Sequence, residues 1–249
     1  MTGIVWWDGT RMSTLPVHEA AADLLVLYED NHLLAVFKPA GLLSQGPGHG
    51  HNTTLDVAKA WIRRRHDKPG GVYVGLVHRL DRPVGGVLVL AKTSKAAARL
   101  SEQFRTGAVR KTYQAVVEGR VAGFGTLSDS VTRRTQHRAS RVVPSGRGRH
   151  AELDYQVVES GTRASLLEIH PHTGRTHQIR LQLAHWGHPI VGDVKYGSRL
   201  RLFGTVALLA KEIRIHHPTR DVEMDIHAPT PPDWPWPLPP AATAERHPR

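Results

Sequence analysis

The chain has 249 residues, 40% of them hydrophobic and 22% charged, enough for one large soluble domain or two small ones and for a real core. Lysine and arginine total 33 against 22 acidic residues, a formal charge of +11, so the expected partner is a polyanion, with nucleic acid ahead of a membrane surface because no basic amphipathic helix stands out. The lack of cysteine excludes disulfides, thiolate catalysis and Cys-ligated zinc; no apolar run can span a bilayer and Met1–Met12 lack a signal-peptide core, which leaves the cytoplasm as the expected compartment.

Residues 1–23 read as a loose leader. Two apolar runs, Leu24–Tyr28 and Leu33–Phe37, flank the polar Glu29-Asp30-Asn31-His32 and predict a β-hairpin. Pro39-Ala40-Gly41 turns the chain, and the Gly- and His-rich stretch 45–52 is loop. Thr54 is placed to cap a helix over Leu55–Arg65 with Leu55, Ala58 and Ile62 on one face. Tyr73–Val77 reads as a short strand that delivers His78-Arg79-Leu80-Asp81, and Val87–Ala91 as another. Thr93 or Ser94 caps a helix to about Phe104, closed by Gly107. Lys111–Val117 alternates as a strand. Ala151–Val158 and Ala164–Ile169 form a hairpin around Ser160-Gly161-Thr162. Thr176 caps a helix to Trp186, stopped by Gly187 and Pro189. Late strands lie near Val206–Ile215 and Glu223–Ile226. From Pro229 to residue 249 the Pro-rich chain reads as a disordered tail. Short strands and isolated helices without a βαβ rhythm predict an α+β fold, a mixed and largely antiparallel β-sheet core with flanking helices, over residues 24–228.

Asp81 sits after an apolar strand and before Arg82-Pro83. Proline pushes Arg82 toward extended backbone, so Asp81 does not start a helix. Val84-Gly85-Gly86 lets another chain or a ligand come close. A carboxylate at a strand end can reach a substrate; it can equally be a turn aspartate paired with Arg79 or Arg82. Far along the chain, Pro171–Arg180 combines a tight turn at Gly174 with a helix start whose free N–H groups suit phosphate. His177, Arg180 and Leu181 share a face, so Arg180 can point back toward that turn. A buried arginine needs a carboxylate, and both Asp81 and Asp193 are candidates. Tyr113, on the same strand face as Lys111 and Ala115, can stack on a nucleobase or fill core. Arg133, Arg134, Arg138, Arg141, Arg147 and Arg149 form a run with no acidic residue between them, which suits phosphate contact. His49 and His51 match no metal-ligand spacing, and no phosphate-cradling Gly-rich loop with Lys-Ser/Thr occurs, so a nucleotide-driven enzyme is not expected.

Taken together, these pieces resemble the RluA-like pseudouridine synthase family. The resemblance is carried by Tyr28-Glu29-Asp30-Asn31, Lys38-Pro39-Ala40-Gly41, His78-Arg79-Leu80-Asp81, Ala91-Lys92-Thr93, Lys111-Thr112-Tyr113, Pro171–Arg180 and Pro189-Ile190-Val191-Gly192-Asp193, in family order over residues 24–218. It implies the pseudouridine synthase fold with a central catalytic cleft. It implies that Asp81 is the catalytic aspartate, that Tyr113 stacks on the target base and that Arg180 pairs with Asp81. Leu208 is similar to an apolar residue that packs near the base. The chain departs from the family at Leu209-Ala210, where His-Ala is usual, and at Pro83-Val84-Gly85, where many members carry Thr-Ser-Gly. Substrate contacts are then expected from Arg79, Arg82, Lys111, His177 and Leu208, and from Arg133, Arg134 and Arg138.

The chemistry fits this resemblance. Converting uridine to pseudouridine breaks the N1–C1′ bond, turns the uracil and rejoins it through C5. The target must first leave its stack, at a cost of about a few kcal/mol. Asp81 acts either as nucleophile at the sugar or as base taking a sugar proton. Nothing is oxidised and no group is added, so neither cofactor nor metal is required. The expected partner is structured RNA, ribosomal or transfer, and the expected state is a monomer. A catalytically silent RNA-binding factor on the same scaffold is the competing reading. A glycosidase or nuclease, with Asp193 as a second carboxylate, is a third.

Overall fold

The computed structural model describes residues 4–7, 12–15, 24–46, 53–67, 70–132, 140–202 and 204–238. Ile4–Trp7 (β1) and Met12–Leu15 (β2) pair antiparallel as a small sheet of their own, inside the segment expected to be a loose leader. The main sheet opens with the expected hairpin, Val26–Glu29 (β3) and Leu33–Lys38 (β4). Asp30 makes that turn: its Oδ1 accepts the N–H groups of His32 and Leu33 at 2.7 and 2.8 Å.

The first helix, Thr54–Arg65 (α1), is capped by Thr53, not by Thr54 as the sequence suggested. Asp56 decides this, because its carboxylate accepts from the Thr53 N–H while Thr53 Oγ1 accepts from the Asp56 N–H, a reciprocal pair that Thr54 cannot make. The strand predicted at Tyr73–Val77 shrinks to Gly75–Leu76 (β5), and Tyr73 is exposed. Gly85–Ala91 (β6) follows, then Ser94–Thr106 (α2), which runs as expected from a Thr93 cap to Gly107 in the left-handed conformation.

Arg110–Glu118 (β7) leads to two strands absent from the sequence reading, Phe124–Val131 (β8) and Val142–Val143 (β9). Arg149–Ser160 (β10) and Ala164–Pro171 (β11) form the expected hairpin. The third helix is Gln178–His185 (α3), and a short 3-10 turn spans Val194–Tyr196. Leu208–His216 (β12) and Glu223–His227 (β13) close the chain's strands.

These strands build one eleven-stranded sheet in the order β3-β4-β6-β12-β7-β11-β10-β8-β9, with β5 on β6 and β13 on β12. The pairings are antiparallel except β6 with β12. The fold is therefore the mixed, largely antiparallel α+β architecture expected. The β4 and β6 runs are continuously apolar because both of their faces are covered. Leu34, Val36, Leu88 and Leu90 pack with Val57, Ala58 and Ile62 of α1, while Leu33, Ala35, Val87 and Val89 pack with Ala96 and Leu100 of α2. Each such fully buried leucine stabilises the fold by about 1.5–3 kcal/mol. A third cluster packs Ile179 and Leu183 of α3 against Val116, Leu153 and Leu167.

Gly86 is where β6 touches β12 most closely. A Cβ there would lie 2.2 Å from the Ala210 carbonyl oxygen, and the backbone φ is +122°, so only glycine fits. The contact pins the segment after Asp81 to the strand that carries Leu208. The tail from Pro229 is not disordered as far as residue 238. Trp234, Trp236 and Leu238 pack on the α3 cluster, and Trp236 Nε1 donates to Glu159 at 2.8 Å. Residues 239–249 lie outside the described residues. No helix among the described residues is long and apolar enough to cross a membrane.

Candidate active site

Asp81 lies on the turn between β5 and β6, and the backbone on both sides of it is tied down. Ser44 Oγ donates to the Leu80 carbonyl at 2.9 Å and accepts from the Leu80 N–H at 3.1 Å. The Arg82 carbonyl accepts from the Gly41 N–H at 2.8 Å and from Lys38 Nζ at 3.3 Å. Val84 N–H closes the turn on the Asp81 carbonyl at 3.1 Å. Lys38 is fully buried and also donates to Pro39 and Leu42 carbonyls, at 2.9 and 2.7 Å. Burial pushes its pKa down to about 7, against the upward pull of the Asp81 charge.

Arg180 on α3 faces this turn. It donates from Nη1 to Asp81 Oδ2 at 3.0 Å, and from Nε and Nη2 to the two oxygens of Asp193 at 2.6 and 2.8 Å. Both candidate carboxylates are thus partners of one guanidinium. Burial works against that charge, yet the bonds and charge of Asp193, with those of Asp81, hold the Arg180 pKa above its ordinary value. The Asp193 side chain is only 1% exposed while that of Asp81 is 25% exposed, so one carboxylate is sealed and the other is open.

The helix that carries Arg180 begins later than predicted. Thr176 makes no cap; His177 occupies the cap position with φ of 57° and no capping side chain. The reason is Gln178, whose Oε1 accepts from Thr173 Oγ1 at 2.7 Å and from the Arg175 N–H at 2.9 Å, folding the 173–177 turn back on the helix start. The Gln178 N–H is itself bonded to the Arg175 carbonyl at 3.0 Å, so this first helical donor is not open to phosphate. His177 is turned toward Asp81, with Nε2 3.7 Å from Oδ2.

A cleft of about 1340 Å³ runs over these groups, lined by Asp81, Lys111, Tyr113, His177, Arg180 and Leu208 among others. Strand pairing brings Tyr113 on β7 opposite Ala210 on β12, and Ala115 opposite Leu208. Burial first, and then the charge of Asp81, push the Tyr113 phenol above the ordinary tyrosine range, so it stays neutral. Burial lowers the Lys111 pKa. A ring, an aliphatic wall, an anchored carboxylate and a basic surround form a site that can take a planar base and act on its sugar.

The family described as RNA pseudouridylate synthase matches residues 32–185. The chain belongs to this family. It is 34% identical over 223 residues to ribosomal large subunit pseudouridine synthase D of Yersinia pestis, covering 84% of this chain and 67% of that one. The corresponding Pseudomonas aeruginosa protein is 33% identical over 229 residues, covering 86% and 70%. Among solved structures, human RNA Pseudouridylate Synthase Domain Containing 4 superposes with a TM-score of 0.72 at 25% identity, over 87% of this chain and 93% of that one. Human RNA Pseudouridylate Synthase Domain Containing 1 gives 0.69 at 24% identity, over 88% and 87%, which bears on the fold. The protein is an RNA pseudouridine synthase, an isomerase that acts on RNA.

Not every expected residue of this pseudouridine synthase sits alike. Arg79 and Arg82 are exposed at the cleft, and Arg82 Nε also donates to the Gly41 carbonyl at 3.0 Å. Arg133, Arg134 and Arg138 lie outside the described residues, as do His49 and His51. Asp193 cannot serve as a second reacting carboxylate, because both its oxygens are held by Arg180 and it is sealed from the cleft. Sequence reasoning passed over Lys38 and Ser44 as site residues. A lysine closing the apolar run Leu33–Phe37 just before Pro39 was the available signal for the first; Ser44 gives none. His78 is tied into the wall of the cleft: its Nε2 accepts from the Val89 N–H at 2.9 Å, its ring stacks on Phe104 at 4.6 Å, and burial pushes its pKa down to about 3.

Proposed function

We propose that this enzyme makes pseudouridine in large-subunit ribosomal RNA, with Asp81 as the acting carboxylate, Tyr113 as the platform for the flipped base and Arg180 as the partner of Asp81. The observation that carries the reading is the single guanidinium shared between a sealed Asp193 and an open Asp81 at the cleft floor. The ribosomal substrate is supported by the names of the Yersinia pestis and Pseudomonas aeruginosa relatives.

Arg180 fixes the direction of Asp81 through the 3.0 Å bond from Nη1 to Oδ2. The carboxylate attacks C1′ or takes a ribose proton, and the N1–C1′ bond breaks. The freed uracil turns while Tyr113 and Leu208 hold it in the cleft. A C5–C1′ bond then forms as the Asp81–C1′ ester breaks, or as Asp81 returns the ribose proton; the C5 proton leaves and N1 gains one, so the product is an isomer of the substrate. Arg79, Arg82 and Lys111 meet the phosphates, and Arg133, Arg134 and Arg138 extend that basic surface. The reading includes action as a monomer, and a ribosomal substrate fits the cytoplasm.

The test is to incubate the purified protein with an unmodified transcript of bacterial large-subunit ribosomal RNA and map carbodiimide adducts by reverse-transcription stops. Discrete new stops are expected. No stop on that RNA, with stops on transfer RNA, would overturn the ribosomal assignment.

A further inference from the structure

The two oxygens of Asp81 have unlike settings. Oδ2 accepts from Arg180 at 3.0 Å and has His177 Nε2 at 3.7 Å; Oδ1 has no hydrogen-bond partner among the described residues. His177 reaches this place through left-handed backbone, φ 57°, a region that a non-glycine residue rarely adopts. Strain of this kind persists where surrounding contacts over-determine it. Here they do. Nδ1 of the same ring lies 2.6 Å from the Tyr196 hydroxyl, and the two rings meet edge-on at 5.7 Å. Tyr196 is held in turn by Arg180, whose guanidinium carbon is 5.0 Å from the ring centre, and by Lys195 at 5.4 Å. The His177 side chain is only 11% exposed.

We propose that His177 is a positioning residue for Asp81: the Tyr196 hydroxyl donates to Nδ1, which fixes the Nε2–H tautomer, and that N–H holds Asp81 Oδ2 beside Arg180, so that Oδ1 is the oxygen presented to the ribose. The inference rests on the reading of Asp81 as the acting carboxylate. It replaces the simple RNA contact expected of His177. Second partners of this type set tautomer and orientation, and the ring nitrogen's role follows from the bond its fellow makes. At 3.7 Å the contact is longer than a hydrogen bond; such contacts are often loose without substrate and shorten in the reactive complex. Among the described residues, the charged or titratable groups facing the imidazole include Asp81 from its turn, Arg180 from its own helix, and Lys195 and Tyr196 from the 3-10 turn, with Asp193 behind Arg180.

Two measurements decide it. Nitrogen-15 NMR of the free enzyme is expected to find the His177 ring protonated on Nε2 and bare on Nδ1 near neutral pH. Asp81→Asn is expected to lower the pH at which that ring takes its second proton. A ring indifferent to Asp81→Asn would overturn the coupling, whichever RNA the enzyme uses. The second measurement is single-turnover kinetics on saturating unmodified large-subunit ribosomal transcript. His177→Asn, chosen because asparagine tolerates left-handed backbone, should slow turnover by about 10–100-fold with RNA affinity within about twofold. Tyr196→Phe should slow it less, and the double variant should add little to His177→Asn, as for residues acting in one chain of contacts. Weakened RNA binding with unchanged saturated turnover would make His177 an RNA contact and end the proposal. A wild-type enzyme inert on this transcript would overturn the ribosomal substrate instead, leaving the NMR result to decide the present inference.

Discussion

Arg180 and Asp193 form a two-point ion pair, 2.6 Å from Nε to Oδ2 and 2.8 Å from Nη2 to Oδ1. That pair fixes the plane of the guanidinium and leaves Nη1 directed at Asp81. It also separates stability from chemistry. Removing one member of a buried pair strands the other charge and costs about 3–5 kcal/mol. Asp193→Ala should therefore lower unfolding free energy by about that amount in urea titration. Asp81→Ala should change it by under about 1 kcal/mol, because Arg180 keeps its better partner. Equal losses in the two variants would contradict this division.

Tyr113 should matter after RNA has bound. Phosphate contacts dominate affinity for nucleic acid, whereas a ring beneath an extruded base offsets the unstacking needed for reaction, at about 1–3 kcal/mol per base. Tyr113→Ala is expected to slow saturated turnover at least about tenfold while changing the dissociation constant by less than about threefold. Filter binding alongside single-turnover rates checks both. A variant that binds weakly but turns over normally once saturated would contradict the stacking role.

Lys38 makes stability depend on pH. Its folded pKa is pushed down to about 7, below the ordinary 10.5. Between those values the unfolded chain binds the extra proton, so the Lys38 contribution improves as pH rises through that window and is least favourable below pH 7. From about pH 7 to about pH 9.5 the wild type should gain on the order of 3 kcal/mol relative to Lys38→Met. Urea midpoints at the two pH values measure this. Parallel pH profiles for the two proteins would show that the ammonium carries no such penalty.

Features held by local chemistry were legible in the sequence. Thr93 and Gly107 bound α2 because caps act within one turn. The alternation of β4 and β6 between two helices shows as unbroken apolar runs. Features set by distant partners were not. Phe124–Val131 carries Gly, Thr, Ser and Asp, and becomes a strand through pairing with β10. The start of α3 moved because Gln178 reaches back to Thr173. Proline made the tail look unstructured, while its tryptophans found core surface to cover. At the site, Asp81 and Arg180 stood out through the family motifs, with Asp193 as the alternative partner; that Arg180 serves both carboxylates at once follows only from three-dimensional packing.

A net charge of +11 around a phosphate-bearing substrate makes binding electrostatic. The dissociation constant should rise by at least about tenfold between about 100 and about 300 mM monovalent salt, in proportion to the counterions released. A constant that barely moves over this range would show that the basic surface is not in contact with RNA.

The proposed role of Asp81 rests on its open carboxylate doing the chemistry. Asp81→Asn keeps the side chain's size and removes its charge. Wild type and Asp81→Asn, matched for folding by circular dichroism and for RNA affinity, should be compared by mass spectrometry of nucleosides from the same transcript. Pseudouridine is expected from the wild type and none above background, a loss of at least about 1,000-fold in rate, from Asp81→Asn bound equally well. Equal pseudouridine yields and rates from the two proteins would contradict it.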